Sequence, residues 1–382
     1  MPPQAHHPDN PPPRGRGQRL LFLDALRAFG SIAILLHHFS LYAPLRDLAA
    51  PLLGTCLNWL ESHARTTQIF FAASGYVLAR SLSSQTWNLR TLRTFVIQRY
   101  FRLALPYLAT IALVLTAYSF ARDYLPAQVT GSPVTPWQLL THFVFLQDIL
   151  GQEQLSAGFW FVCINFQLCL MYAVMLWVRD SLSSRHFDAA TLIGWGLAAF
   201  SLFSFNLDGS NDAWGLYFFP YFFMGIVVHR ALQPNARQSE FWLYQLLFVG
   251  ALCVNWRWRL VIAMIVGLVL YLAEKTGFGA RWPKNPVVSW LGKISYSLFL
   301  VHFPVLVLVA TACIRLDWTS PRAAVAGLFV AIALSLAAAT AFHRWIDAPS
   351  GRLARILSRS ERSERNRNAS APHHGETAYA RS

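Results

Sequence analysis

Apolar runs of roughly 16–23 residues, divided by short polar stretches, recur along the chain from Leu20 to Phe342. A helix needs about 20 apolar residues to cross the hydrocarbon core of a bilayer, so each run is long enough or nearly so. The runs fall near 20–42, 67–84, 101–120, 158–178, 189–206, 214–231, 241–255, 258–273, 294–314 and 323–343. They predict an all-α fold, a polytopic membrane bundle of about ten transmembrane helices. Only a tight turn, Asn255 to Arg259, divides the seventh run from the eighth. Gly, Ser and Ala inside several runs let helices approach closely. No repeat of fixed period is visible.

The first run, LLFLDALRAFGSIAILLHHFSLY, interrupts its apolar pattern with Asp24, Arg27, His37 and His38. An ionisable side chain at the bilayer centre costs roughly 2.5–3.5 kcal/mol on insertion scales, so such groups face a polar cavity and mark function. Asp24 and Arg27 share a helix face and are close enough to pair. Arg27 and His38 lie about three turns apart on one face, ~16 Å along the axis. That places a charged anchor and a candidate base along one wall.

Composition agrees with the pattern. Hydrophobic residues make up 55% of the chain and charged ones 13%, outside the range of soluble domains. No room remains for a sizeable soluble domain. The 14 Trp, 13 Tyr and 28 Phe suit interfacial belts and packed helix contacts. A net charge of +14 raises the question of nucleic acid. Basic residues, however, crowd the termini and alternate loops, without the aromatic interleaving that a nucleic-acid groove requires, so no nucleic acid is expected. Loops holding Arg90, Arg93, Arg179, Arg230, Lys275 and Lys293 are richer in positive charge than those holding Arg65, Arg122 and Arg322. The positive-inside rule then puts both termini in the cytoplasm.

Residues 1–18 are a Pro-rich basic tail and residues 350–382 a polar Ser/Arg/Asn tail, both read as disordered, with 19–349 as the transmembrane domain. Cys56, Cys163, Cys169, Cys253 and Cys313 are scattered, without metal-ligand spacing or a disulfide framework, and no metal is expected.

Four constellations outside the first run bear chemistry. Arg99 and Arg102 share a face where the third run begins, and two guanidiniums there suit phosphoryl oxygens; positive-inside charge with snorkelling stems is the competing reading. Ser74-Gly75-Tyr76 offers points of close backbone approach, either to a ligand or to a neighbouring helix. Asn165 and Gln167 place two amides in the fourth run, as glue between helices or as the lining of a polar cavity. Ser295, Tyr296 and His302 draw a polar stripe along the ninth run, and Pro304 loosens the helix beside the histidine.

Taken in order, LDALRA, the R-x(10)-H spacing of Arg27 and His38, Ser74-Gly75-Tyr76, Arg99-x-x-Arg102, Trp160 followed by Gln167, GKISYSLFLVH and the closing HRWIDAP resemble the acyltransferase-3 family of integral-membrane acyltransferases. The likeness runs from Leu20 to about Pro349. It implies transfer of an acyl group, often acetyl, from cytoplasmic acyl-CoA (acetyl-CoA) to a hydroxyl. The implied acceptor is a cell-envelope glycan or lipid-linked sugar, and the implied setting the bacterial inner membrane. By the same resemblance His38 is the catalytic histidine and Arg27 its motif partner, while Arg99 and Arg102, with Arg27, engage the donor. His37 has no such match and is read as structural. Ser74, Tyr76, Gln167, Tyr296 and His302 are then substrate-side candidates.

The chemistry is coherent with that division. Cytoplasmic arginines hold the coenzyme A phosphates while its flexible arm enters the bundle. A histidine, whose pKa lies near working pH, takes the acceptor proton. The oxyanion that follows needs preorganised donors, for which Arg27, Asn165, Gln167 and Tyr296 are candidates. Direct transfer and a covalent acyl-histidine both remain open.

One departure stands out. Where many relatives carry an acid before the glutamine of the fourth run, this chain has Asn165. An amide orients a histidine but does not stabilise an imidazolium as a carboxylate does. Asp24 is roughly 21 Å along the helix from His38, too far to substitute. The residue that orients His38 is therefore unassigned. A transporter or flippase for a sugar or lipid is the alternative function, although no inverted repeat or paired broken helices are visible. A scaffold without catalysis leaves the buried Arg27 and His38 unexplained.

Overall fold

The computed structural model describes residues 21–182, 188–234, 236–282 and 285–353; the expected tails, apart from residues 350–353, lie outside that set. Among the described residues the chain is helical, without strands. The first helices are α1 (Leu21–Phe39), α2 (Leu45–His63), α3 (Thr67–Leu82) and α4 (Leu89–Ala121). Two short helices, α5 (Ala127–Thr130) and α6 (Pro136–Phe143), lead to α7 (Phe159–Ser181) and α8 (Ala189–Phe203). Then come α9 (Gly215–Ala231), α10 (Ser239–Val254), α11 (Trp258–Lys275) and the short α12 (Phe278–Arg281). The long α13 (Pro286–Arg315) and α14 (Pro321–Phe342) complete the bundle, and a π turn at His343–Asp347 extends α14.

Local sequence sets several helix starts. Asn88 accepts the Thr91 N–H at the head of α4. Thr135 before Pro136, Asn285 before Pro286 and Ser320 before Pro321 likewise accept amides of the first turns of α6, α13 and α14. A capping oxygen satisfies amides that no helical carbonyl reaches, and proline at the first position already has a helical φ.

Every predicted span is helical, but six helices among the described residues are long and apolar enough to cross a membrane. They are Leu21–Phe39, Leu89–Ala121, Phe159–Ser181, Ala189–Leu207, Pro286–Arg315 and Pro321–Leu353. The remaining four predicted spans are α3, α9, α10 and α11, of 16, 17, 16 and 18 residues. The first three reach only ~24–26 Å, against a hydrocarbon core of ~30 Å. The fourth, α11, carries Arg259, Glu274 and Lys275 near its ends. One helix was not anticipated: α2 contains Arg46, Asp47, Pro51 and Glu61, buries only Leu45, Ala49 and Leu57, and lies against α1 and α14. Its low hydropathy is why the apolar pattern passes over it. Similarly, α4 begins well before the apolar run at 101, so Arg90, Arg93 and Arg99 lie on the helix itself.

Two large packed cores result, beside a small cluster of Ile69, Ala72 and Val266. One gathers Phe71, Tyr217, Phe222, Phe223, Tyr244 and Tyr271 from α3 and α9–α11. The other gathers Leu35, Tyr107, Phe159, Leu300 and Phe303 from α1, α4, α7 and α13. Helix directions follow from the contacts. Gly292 lies on Asp24 and His302 on His38, so α1 and α13 run parallel. Phe71 meets Phe218 and Tyr76 meets His229, so α3 and α9 also run parallel. By contrast α13 and α14 are antiparallel, with Trp290 bonded to Thr340 and Cys313 against Gly327.

Candidate active site

The α1–α13 contact brings two histidines together. At its lower end, a Cβ on Gly292 would stand 2.6 Å from the Asp24 carbonyl oxygen, so glycine there lets the helices close. At its upper end, His38 Nδ1 lies 2.6 Å from His302 Nε2. The rings are nearly coplanar and meet edge to edge, with centroids 4.9 Å apart and planes at 21°. Both are buried. The second nitrogen of His302, Nδ1, is 3.0 Å from the Leu298 carbonyl oxygen, which leaves no ring nitrogen of His302 for a substrate. Tyr42 presents its ring to His38 at 6.2 Å and rests on Phe303 at 4.8 Å. His37 turns towards α2, where its Nδ1 is 3.4 Å from the Leu60 carbonyl oxygen. It takes no part in the pair.

A second cluster forms where α1, α3, α4 and α7 meet. Arg27 makes no hydrogen bond or ion pair among the described residues, and both Asp24 and Arg99 act on it electrostatically. Arg99 Nε is buried without a hydrogen-bond partner among the described residues. Arg99 and Ser74 both approach the Cys169 thiol. Ser74 Oγ donates to Asn165 Oδ1 at 2.8 Å. Two guanidiniums, Arg27 and Arg99, thus share one buried neighbourhood, with Asp24 acting on the first of them. Asn165 is thereby occupied with α3 and makes no bond to His38.

The Arg-x-x-Arg pair divides between two environments. Arg102 Nη1 donates to Asp347 Oδ1 at 2.6 Å and to Ser350 Oγ at 2.9 Å. Its guanidinium also lies 5.8 Å from the centre of the Tyr296 ring. Asp347, only 2% exposed, is further bonded by Ser297 Oγ at 3.2 Å and His343 Nδ1 at 2.8 Å. Arg102 thus ties α4 to α13 and to the turn after α14, whereas Arg99 lies beside Arg27 and the Cys169 thiol. Asp347, His343 and Ser350 are residues whose joint role no spacing in the sequence reveals. The signal for His343 and Asp347 is the HRWIDAP segment, whose buried acid needs a cation; Ser350 lies just beyond it.

The remaining candidates are dispersed. Tyr76 Oη donates to Glu274 Oε2 at 2.8 Å, joining α3 to α11. Gln167 accepts the Gly215 N–H at 2.6 Å and donates to the Ala213 carbonyl at 3.2 Å, so it fastens the start of α9. Tyr296 Oη is 3.5 Å from the Leu103 carbonyl oxygen. No group of three or more metal-ligating side chains occurs among the described residues.

These features define a multi-pass helical membrane protein with a histidine pair and a line of arginines inside its bundle. Residues 20–340 match the acyltransferase domain of the acyltransferase-3 proteins, and the chain belongs to that family. It is also similar to proteins of Staphylococcus aureus strains COL, MSSA476 and MRSA252 that are named provisionally as O-acetyltransferases. Each is 23% identical over 362 residues, covering 86% of this chain. The chain spans 56% of the length of each of these relatives. No solved structure matches the chain.

Proposed function

We propose that the protein is an O-acyltransferase of the bacterial inner membrane, with both termini cytoplasmic. It moves an acyl group, acetyl in the first instance, from cytoplasmic acyl-CoA to a hydroxyl of a cell-envelope carbohydrate or lipid-linked glycan. The observation that carries this reading is the content of α1. That helix holds a buried imidazole at His38 and, about three turns earlier, a guanidinium at Arg27 that shares its surroundings with Arg99.

The ~16 Å between them is a distance that the flexible arm of coenzyme A bridges. Arg99 and Arg27 hold donor phosphates or the polar part of the arm, and Arg102, held by Asp347, fixes the helix that presents Arg99. At the other end His38 takes the proton of the acceptor hydroxyl as the oxygen attacks the thioester carbonyl. A tetrahedral oxyanion forms, the C–S bond breaks, and the imidazolium returns its proton to the departing thiolate. The products are an ester and free coenzyme A. This assignment uses the geometry and the arginines without a metal.

The test is thiol release by purified protein in detergent, given acetyl-CoA and a crude envelope-glycan extract. Release should require the extract and fall about 10²–10⁴-fold in His38→Gln, the range typical for loss of a general base. Unchanged release in that variant would remove His38 from the chemistry. A wild type that releases no thiol but moves a sugar lipid across a sealed vesicle would make the protein a transporter instead.

A further inference from the structure

We infer that His302 is the positioning residue that orients His38, taking the place of a carboxylate. The inference rests on the acyl-transfer reading for its catalytic consequence, but not for the pairing itself.

The argument is one of donors and acceptors. The Leu298 carbonyl only accepts, so the His302 Nδ1 that lies 3.0 Å from it carries hydrogen. A neutral imidazole has one N–H, which leaves His302 Nε2 with a lone pair. That nitrogen is 2.6 Å from His38 Nδ1, and two lone pairs do not face each other at such a distance. His38 Nδ1 therefore carries hydrogen and donates. By elimination His38 Nε2 holds a lone pair, which is the form a general base requires. A backbone carbonyl in α13 thus dictates the tautomer of a histidine in α1.

Neither imidazole is bonded by a carboxylate among the described residues, and Asn165, which stands where many relatives carry an acid, is bonded to Ser74. The relay does what an acid–histidine contact otherwise does. When His38 Nε2 takes a proton from the hydroxyl, its Nδ1 proton can pass to His302 Nε2. One positive charge is then shared by two rings, and no proton is gained or lost by the pair beyond the one received. The near-coplanar rings, at 21°, keep the two nitrogens in line as the charge develops. The arrangement also explains why His302 is almost completely buried, at 1% exposure, which does not suit a residue that meets substrate.

Two measurements test this together. The first is nitrogen-15 NMR of histidine-labelled full-length protein in detergent, with His38→Gln used to assign the His38 signals. His38 should show a protonated Nδ1 and an unprotonated Nε2, and His302→Leu should abolish that preference. The second is acyl-transfer kinetics. His302→Leu should lower kcat about 10²-fold with the donor KM within about twofold, the size of effect seen when an orienting partner is lost. His302→Gln, whose amide oxygen reaches the position of Nε2, should recover to within about tenfold of wild type. A wild-type His38 protonated on Nε2 overturns the pairing, and an unchanged kcat in His302→Leu overturns its role. Should the wild type transfer no acyl group, the proposed function fails, while the nitrogen-15 result still decides the pairing.

Discussion

The α3–α9 and α1–α13 pairs are both parallel, and both close over glycine, yet they bury different chemistry. In α3–α9, Gly75 and Gly225 bring the two backbones into contact, and a Cβ on either would overlap a carbonyl of the other helix. The seam is then walled by aromatic rings such as Phe71 and Phe218, and the polar contact from Tyr76 reaches out to Glu274 on α11. In α1–α13, Gly292 lies against Asp24 at one end, and a pair of imidazoles meets at the other. Glycine contact brings helices together in both, so the polar residues alone distinguish a scaffold from a reaction site. A membrane bundle gains little from hydrophobic burial between helices, which makes close packing the means of assembly and polar side chains the sparing exception.

The contrast can be broken most forcefully at the scaffold. Gly225→Leu would drive a side chain into the Ala72 carbonyl and the Tyr76 amide, neither of which is free to move. The expected outcome is loss of folded protein, read as aggregation by size exclusion in detergent. A variant that elutes as wild type would show that the seam yields.

A smaller effect is expected at Asp347. Asp347→Ala strands Arg102 and removes the acceptor for Ser297 and His343. Breaking a buried ion pair costs about 3–5 kcal/mol, and the lower end applies because Arg102 is 34% exposed. Thermal unfolding in detergent should show a clear fall in midpoint, with thiol release reduced because Arg99 loses its support. A midpoint equal to wild type would mean that the network does not hold α4 in place.

The smallest effect belongs to Tyr76→Phe. It removes one hydrogen bond at the end of the α3–α9 seam, worth about 1.5–3 kcal/mol to a charged acceptor. The rate of thiol release should stay within about twofold of wild type. A large loss of rate with unchanged stability would move Tyr76 from the scaffold to the site, and with it the comparison between the two helix pairs.

Much of the fold was legible because apolar runs report helices directly. Each of the ten runs corresponds to a helix, although the shortness of α3, α9 and α10 and the charges near the ends of α11 leave six among the described residues that satisfy the length and hydropathy needed to cross a membrane. The pattern passed over α2 because Arg46, Asp47 and Glu61 dilute its hydropathy, while its few buried residues still dock on α1 and α14. At the site, Arg27 and His38 were visible because charge inside an apolar helix is costly and so informative. Arg99 and Arg102 were equally visible, but as equals. Nothing in an Arg-x-x-Arg spacing tells which guanidinium meets a buried aspartate about 245 residues away. The partner of His38 was likewise open, since one-dimensional order does not say that His302 approaches it more closely than Asn165 does.

The sequence by itself determined the class of protein. Hydropathy over a helix length, the asymmetry of positive charge and an ordered set of motifs are local or additive properties that need no fold to be read. Only the tertiary structure decided which polar groups share a bond. That choice separated Arg99 from Arg102, gave Asn165 to Ser74 and gave His38 to His302. Hydrogen bonds act within about 3 Å and depend on direction. Which residues satisfy them is therefore fixed by how α1, α3, α4, α7 and α13 pack, and not by any spacing along the chain.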